Sequence, residues 1–155
     1  MIGPIPHQTT ASYTDDVPAT LTYGTSVYST NTFSGLRNSL SNYAVITLQI
    51  WMPHTYSGDC VVTLKGPTST SISITNRKGG SYDNVFDGTL FTDSAANSVK
   101  TYSFSSNGVV SPLQPEDPFS TFRGKNPNGE WRTDFYDKAS GDSGKVNKVI
   151  LTIQG

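Results

Sequence analysis

Residues 44–52, Ala-Val-Ile-Thr-Leu-Gln-Ile-Trp-Met, decide the fold class of this chain. Apolar and polar side chains roughly alternate along the stretch and β-branched residues are frequent, which is typical of a strand with one face on a core. Ser57-Gly58-Asp59 has the composition of a turn. Residues 60–65, Cys-Val-Val-Thr-Leu-Lys, form a second candidate strand, and we expect the two strands to pair as a hairpin.

The same pattern of short apolar segments and turn residues continues to the C-terminus. The stretch 111–119 contains three prolines and is predicted to be irregular. No segment keeps a helical period for three turns, and turn signals recur about every eight to twelve residues. We therefore predict an all-β domain, a jelly-roll β-sandwich of about eight strands. Further candidate strands lie at 19–23, 71–75, 99–104, 130–136 and 145–153.

Composition and charge exclude several classes of protein. The 155 residues fit one domain. The net charge is −1 and the basic residues are scattered, so the sequence has no cluster of positive charge that could bind nucleic acid. No apolar run approaches the roughly 20 residues that a membrane-spanning helix needs. Residues 1–16 lack periodicity and are expected to be a leader or linker, with residues 17–155 forming a single domain. We expect the isolated chain to be monomeric.

Five motifs follow one another between about residue 43 and the C-terminus. They are His-Thr-Tyr-Ser-Gly-Asp at 54–59, Gly-Pro-Thr at 66–68, Asn-Arg-Lys-Gly-Gly at 76–80, Gly-Lys-Asn-Pro-Asn-Gly-Glu-Trp at 124–131, and Asp137 followed by Gly-Asp-Ser-Gly at 141–144. In this order they resemble the P domain (P/homo B domain) of subtilisin-like proprotein convertases of the kexin and furin type and of related bacterial proteases. Departures from the family pattern are Cys60, where the family usually has Leu, and Lys148-Val149, where it has a Ser/Trp pair.

The resemblance implies a function. A P domain is a companion of a subtilisin-like catalytic domain, which it stabilises or whose calcium and pH response it modulates. A secreted or extracellular setting is implied as well, and the lone cysteine of the chain neither supports nor opposes it. The motif positions that we expect to have structural roles are His54, Asp59, Trp131, Asp137 and Asp142.

Few residues are candidates for catalysis. A serine protease needs a nucleophile, a base and an orienting acid within reach, and the only histidines are His7, in the proline-flanked leader, and His54, at a strand end. Ser143 lies in a Gly-Asp-Ser-Gly sequence that resembles the nucleophile loop of trypsin-like proteases, but a tight turn explains both glycines. Cys60 lies in an apolar strand and is expected to be a buried, inert thiol. We expect no enzymatic activity from this chain.

His54 and Asp59 flank the predicted turn between the first two strands. They are expected to form an ion pair or hydrogen bond across it, either as a structural contact or as a pH sensor. The Asp59 carboxylate has the alternative of accepting hydrogen bonds from backbone N–H groups of its own turn.

The stretch between Ser81 and Asn97 is acidic and contains no Lys or Arg. Calcium binds six to eight oxygen atoms from carboxylates, amides and backbone carbonyls, and such a stretch can supply them. The spacing is not that of an EF-hand, and the alternative is a solvated loop in which Asp and Asn cap turns. The candidate calcium ligands are Asp83, Asn84, Asp87 and Asp93.

A second function is compatible with the predicted fold. A jelly roll with exposed aromatic rings is typical of a carbohydrate-binding or adhesion domain, because sugar rings stack on aromatic faces. Trp51 and Trp131 lie on different candidate strands, where aromatic side chains usually fill the core. Trp131 in particular matches a family position that resembles a core anchor.

Overall fold

The computed structural model describes residues 10–155, and two short 3₁₀ turns, Ser57–Asp59 and Phe119–Phe122, account for its helical structure. The predicted all-β class is confirmed, with ten strands in the described residues where about eight were expected. The strands are β1 (Thr10–Asp15), β2 (Ala19–Thr22), β3 (Ser26–Phe33), β4 (Val45–Met52), β5 (Cys60–Lys65), β6 (Ser71–Asn76), β7 (Phe86–Thr92), β8 (Gly129–Asp137), β9 (Ser143–Val146) and β10 (Lys148–Gln154).

Two antiparallel sheets of four strands form the sandwich. Their strand orders are β1-β10-β4-β7 and β3-β8-β5-β6, and β2 and β9 make a small separate pair. Side chains alternate between buried and more exposed along β4 and β8, because successive residues of a strand point to opposite faces of its sheet. The buried rows of the two sheets meet in one hydrophobic core.

Aromatic rings anchor the core around β8. Trp131 is 1% exposed and its indole N–H donates to the Pro127 carbonyl oxygen at 2.8 Å. Its ring packs edge-on against Phe122 and Phe33, with centroid distances of 4.8 and 6.3 Å. Such contacts add about 0.5–1.5 kcal/mol each to the free energy gained by burial.

The expected hairpin between β4 and β5 is wrong. β4 pairs with β10 and β7 in one sheet, whereas β5 pairs with β6 and β8 in the other. Both strands have an apolar row that must be buried, and the two rows face each other across the same core. Residues 53–59 therefore cross from one sheet to the other instead of turning back within one sheet.

The expected strand at 99–104 is also wrong. The backbone N–H groups of Thr101 and Tyr102 both donate to the Ser98 carbonyl oxygen, which makes this segment a turn. Its aromatic residues pack locally, with Phe104 5.6 Å from Phe86 and 5.2 Å from Tyr102 between ring centroids. The alternating pattern reflected this aromatic packing and not a strand.

The expectation that residues 1–16 form a leader or linker is wrong for residues 10–15, which form β1. β1 pairs with β10 at every position from Thr10–Gln154 to Asp15–Val149. Its sequence is mostly small and polar, so backbone pairing and not hydrophobic periodicity holds it in the sheet. Residues 1–9, including His7, lie outside the described residues. The weak candidate strand at 19–23 corresponds to β2.

Candidate functional site

The candidate site lies at one end of the sandwich, here called the loop end and formed by residues 53–59, 77–85 and 138–144. β4 ends there and β5 begins there, while β8 ends there with Asp137. The crossing between sheets carries His54 and Asp59 into this end. Three residues that were singled out from the sequence are thus brought together next to the core.

His54 and Asp137 form a buried pair. His54 Nε2 lies 2.8 Å from Asp137 Oδ2, and neither side chain is exposed to solvent. The other imidazole nitrogen, Nδ1, accepts a hydrogen bond from the Tyr56 backbone N–H at 3.0 Å. Nδ1 therefore carries no proton, so the imidazole is neutral and donates Nε2–H to the carboxylate. The second oxygen, Asp137 Oδ1, accepts from the Ala139 N–H at 3.1 Å.

This geometry does not suit acid–base catalysis. In a catalytic triad one imidazole nitrogen faces the orienting acid and the other takes the proton of the nucleophile. The nitrogen that would take the proton, His54 Nδ1, is occupied by the Tyr56 N–H, and the ring is 1% exposed. The pair instead joins the last residue of β8 to the segment that follows β4, and so connects the two sheets.

The partner of His54 was predicted incorrectly. The sequence indicated Asp59, five residues away, but the hydrogen bond goes to Asp137, 83 residues away. Asp59 lies close by and is 4% exposed. Burial, together with the nearby charge of Asp137, raises the pKa of Asp59. The Asp137 position was in a recognised motif, but no local sequence signal linked it to His54.

Two glycines let the loops of this end approach one another. Gly58 donates its N–H to the Gly80 carbonyl oxygen at 2.8 Å, and a Cβ at residue 58 would lie 2.6 Å from that oxygen. A Cβ on Gly144 would collide with the backbone of Pro53 and His54. Side chains are therefore excluded at both positions.

The Gly-Asp-Ser-Gly sequence forms part of this packing. The Thr55 hydroxyl donates to Asp142 Oδ1 at 2.9 Å and accepts from the Ser143 backbone N–H at 3.2 Å. Asp142 thus holds the turn against the segment that follows β4. Both glycines are explained by backbone geometry, since Gly141 has a φ of 104° and Gly144 lies against His54.

Cys60 is fully buried at the start of β5. Burial, with the nearby Asp137 carboxylate, raises the pKa of its thiol far above the ordinary range. Since the thiolate is the reactive form, the thiol is inert.

The candidate calcium ligands do not converge. Asn84 is at the loop end, where its side-chain oxygen accepts from the His54 N–H at 3.0 Å and its NH₂ group donates to Asn107 at 2.9 Å. Asp93 is at the opposite end of β7, and its carboxylate accepts from the backbone N–H groups of Phe119 and Ser120 at 2.8 and 3.0 Å.

Within residues 10–155, no three His, Cys, Asp or Glu side chains are placed so that they could share a metal ion. Asp83, Asn84, Asp87 and Asp93 therefore do not fit one calcium ion. The acidic stretch supplies turn and capping interactions instead, because β7 separates its two halves by roughly 20 Å.

Neither tryptophan offers a free ring to a sugar. Trp131 is in the core, and Trp51 is half-buried with the Lys148 ammonium 5.5 Å from its ring centroid. The exposed rings belong to tyrosines, of which Tyr43 is the most exposed at 91%. The geometry does not favour the carbohydrate-binding interpretation.

Comparison with known proteins places the chain in a family. The model of the proprotein convertase P-domain family matches residues 43–153. The chain belongs to this family. The match includes both residues of the His54–Asp137 pair and the strands from β4 onward, whereas β1, β2 and β3 precede it.

Two curated relatives are enzymes by name, and one of them is named a protease. Leupeptin-inactivating enzyme 1 of Streptomyces exfoliatus is 28% identical over 149 residues, which are 96% of this chain and 27% of that enzyme. The calcium-dependent protease of Trichormus variabilis is 28% identical over 111 residues, 70% of this chain and 13% of that protease. The P domain thus spans about a quarter or less of these relatives.

Solved structures share the fold. The serine protease of Aeromonas sobria superposes with a TM-score of 0.59 at 14% identity, over 99% of this chain and 28% of the protease. The complex of that protease with a chaperone gives a TM-score of 0.57 at 14% identity, over 97% and 28% of the two chains. No helix in the described part of this P domain is long and apolar enough to cross a membrane.

Proposed function

We propose that this P domain is a non-catalytic accessory domain that docks on a subtilisin-like serine protease domain and stabilises it. The observation that carries the proposal is the family match over residues 43–153. The curated relatives support it, because one of them is named a protease and most of the length of both lies outside the matched region. The buried, neutral His54 supports a structural role for this chain and not a catalytic one.

The mechanism is linkage between binding and folding. Any partner that binds only the native catalytic domain stabilises it by RT ln(1 + [L]/Kd), and a tethered partner acts at an effective concentration of about millimolar. Docking is most effective when the surface needs no ordering on contact. The hydrogen bonds of His54, Asp137 and Asn84 join the two sheets at the loop end, so the sandwich that presents a docking surface is ordered before any partner arrives.

The accessory function is tested in the protease that contains this domain. Intact protease is compared with a form that lacks residues 10–155, and the half-life of thermal inactivation and kcat/KM on a short peptide are measured. We expect the shortened form to lose activity at least tenfold faster on heating, and the purified chain added in trans to slow that loss. Serum albumin at equal mass is the control for non-specific protection. Equal half-lives with and without the domain would refute the accessory function.

The proposal also covers the cellular location of the protein and the extent of its folding unit. We propose a secreted or extracellular setting on the basis of family membership, which fractionation of cells and medium tests. We also propose that the described residues are a single folding unit that includes β1, since β1 pairs with β10 along its full length. The calcium dependence named for one relative is a property of that protein, and no donor set among Asp83, Asn84, Asp87 and Asp93 carries it to this chain.

A further inference from the structure

The outer edge of β3 pairs with no strand among residues 10–155 and carries none of the usual protection of an edge. Within the described residues, β3 pairs on one side only, with β8, over its full length from Ser26–Tyr136 to Phe33–Gly129 and without a bulge. Its sequence, Ser-Val-Tyr-Ser-Thr-Asn-Thr-Phe, has no charge, no proline and no glycine. Natural proteins usually blunt an edge with one of these features, because an open edge pairs readily with another strand.

The opposite side of the sandwich is covered. The segment at 110–117 runs along both edge strands there. It bonds to β7 through Leu113 N–H to the Leu90 carbonyl oxygen at 3.0 Å, and to β6 through Asp117 N–H to the Ser73 carbonyl oxygen at 3.0 Å. Among residues 10–155, this segment therefore covers the edges of β6 and β7, whereas the outer edges of β1 and β3 pair with no further strand.

A second observation points to the same strand. Asn31, on the inner row of β3, is 6% exposed, and its side-chain NH₂ group has no hydrogen-bond partner among residues 10–155. A buried donor without a partner costs about 1–3 kcal/mol. A strand added beside β3 would place side chains directly opposite Asn31, about 5 Å away, where a polar residue satisfies this donor.

The position of β1 indicates what occupies the edge. β1 lies over β3, with the Ser29 hydroxyl 2.8 Å from Asp15 Oδ2 and the Tyr13 and Phe33 ring centroids 4.5 Å apart. β1, the first strand of the described residues, therefore lies on the side of the sandwich where the β3 edge is unpaired. In the relatives, about three quarters or more of the chain lies outside the matched region.

We infer that β3 is the docking edge of this P domain, and that an extended, uncharged strand of the parent protease outside residues 10–155 pairs with it. The inference rests on the proposed accessory function and adds the surface through which it acts. In such an addition, main-chain hydrogen bonds supply affinity, and about four of the eight residues of β3 offer their N–H and C=O groups to the new strand. The exposed row of β3, with Tyr28 at 51% exposure, contacts the outer side chains of that strand.

Hydrogen exchange followed by mass spectrometry tests the inference directly. Amide exchange in residues 26–33 is compared between the isolated chain and the intact parent protease. We expect about half of these amides to be protected by β8 in both samples, and the others to exchange at least tenfold more slowly in the protease. Exchange at the same rate in both samples would overturn the docking edge. Protection that rises with the concentration of the isolated chain would also overturn it, because the occupant would then be a second copy.

Matched substitutions separate this inference from the accessory function. Thr30→Lys places a charge at the middle of the open edge, and Thr20→Lys makes the same change at an exposed position of β2. We expect Thr30→Lys to shorten the half-life of thermal inactivation of the protease about tenfold and Thr20→Lys to leave that half-life unchanged. Each new Lys lies directly opposite a basic residue of the neighbouring strand, Arg132 for Thr30 and Lys145 for Thr20, so the melting point of the isolated chain should change by the same small amount in both variants. If both variants match the wild type while deletion of the domain still accelerates inactivation, β3 is not the docking edge and the accessory function stands. If deletion has no effect, the accessory function itself fails.

Discussion

His54 Nε2–H donates a hydrogen bond to the Asp137 carboxylate, which lies 83 residues further along the chain, with 2.8 Å between Nε2 and Oδ2. The bond joins the end of β8 in one sheet to the segment that follows β4 in the other. Because both side chains are fully buried and the imidazole is neutral, the contact behaves as a hydrogen-bonded link between sheets and not as a solvated ion pair. The loop end owes its fixed geometry to this link.

Removal of the Asp137 carboxylate should therefore destabilise the domain strongly. Asp137→Ala leaves the His54 Nε2–H and the Ala139 N–H without acceptors in a buried site, and we expect the free energy of unfolding to fall by about 2–4 kcal/mol. Asp137→Asn keeps one acceptor oxygen, so its free energy of unfolding should lie between that of Asp137→Ala and that of the wild type. Urea unfolding followed by tryptophan fluorescence measures the difference. Asp134→Ala, on the same strand in an exposed pair with Arg132, is the control and should lose less than about 1 kcal/mol. Equal losses for Asp137→Ala and Asp134→Ala would show that the buried link is unimportant.

The raised pKa of Asp59 predicts a pH dependence of stability. Its folded-state pKa lies above the unfolded value of about 3.9, so the native state binds the proton more tightly than the unfolded chain. The contribution of Asp59 to stability is then greatest at acid pH and is lost as pH rises through the folded pKa. Asp59→Asn has no such loss, so its melting point should exceed that of the wild type at neutral pH and the gap should close as the medium is acidified. Melting points from about pH 3 to pH 8 test this. A variant that melts below the wild type at neutral pH, with the same pH slope, would contradict it.

β1 offers a test of where the domain begins. If residues 10–15 were a leader, Tyr13→Ala would leave stability unchanged. Tyr13 instead packs edge-on against Phe33, and we expect its removal to lower the free energy of unfolding by about 1–2 kcal/mol. Tyr28→Ala, at an exposed position of β3, is the matched control and should have a smaller effect. An unchanged free energy of unfolding for Tyr13→Ala would place the boundary of the domain after β1.

The fold was largely predictable from sequence, and the errors have a common physical cause. The alternation of apolar and polar residues in 44–52 and 60–65 predicted two strands that the structure contains, because this pattern depends only on neighbouring residues. The pairing of those strands was wrong, because pairing depends on which sheet buries each apolar row. β1 was missed for a related reason. Its Thr-Ala-Ser-Tyr-Thr-Asp sequence carries little hydrophobic signal, and its place is fixed by backbone bonds to β10, at the far end of the chain.

The site was only partly predictable. The motifs identified His54, Asp59 and Asp137, but sequence proximity suggested the wrong partner for His54. The acidic stretch suggested calcium because its side chains are close in sequence. β7 separates Asn84 from Asp93, and both side chains bind other groups. Two side chains that are close in sequence can be far apart in space when a strand lies between them, since each residue of a strand adds about 3.3 Å.

Asp93→Asn distinguishes a capping role from a calcium role. The Asp93 carboxylate accepts hydrogen bonds from the Phe119 and Ser120 N–H groups, and an amide can accept only one of them well. We expect a loss of about 1–2 kcal/mol that is the same in millimolar calcium and in excess chelator. Asp83→Asn is the control and should leave stability unchanged in both media. A calcium-dependent rise in the melting point of the wild type that either substitution abolishes would restore the calcium site.

Gly144→Ala tests whether close backbone approach, and not conformational freedom alone, holds the loop end together. A methyl group at residue 144 meets the Pro53 carbonyl oxygen and the His54 backbone, and neither can move without displacing the imidazole from Asp137. Gly24 has a φ of 76° and open space around its Cβ position, so Gly24→Ala introduces backbone strain of about 1–2 kcal/mol and no collision. We expect the loss of stability in Gly144→Ala to exceed that in Gly24→Ala by at least about 1 kcal/mol, since small-to-large changes in packed sites cost about 1–3 kcal/mol. Exchange of the Tyr56 amide, whose N–H bonds to His54 Nδ1, should accelerate only in Gly144→Ala. Similar losses in both variants, with Tyr56 equally protected, would mean that the loops at this end can separate without disturbing the buried pair.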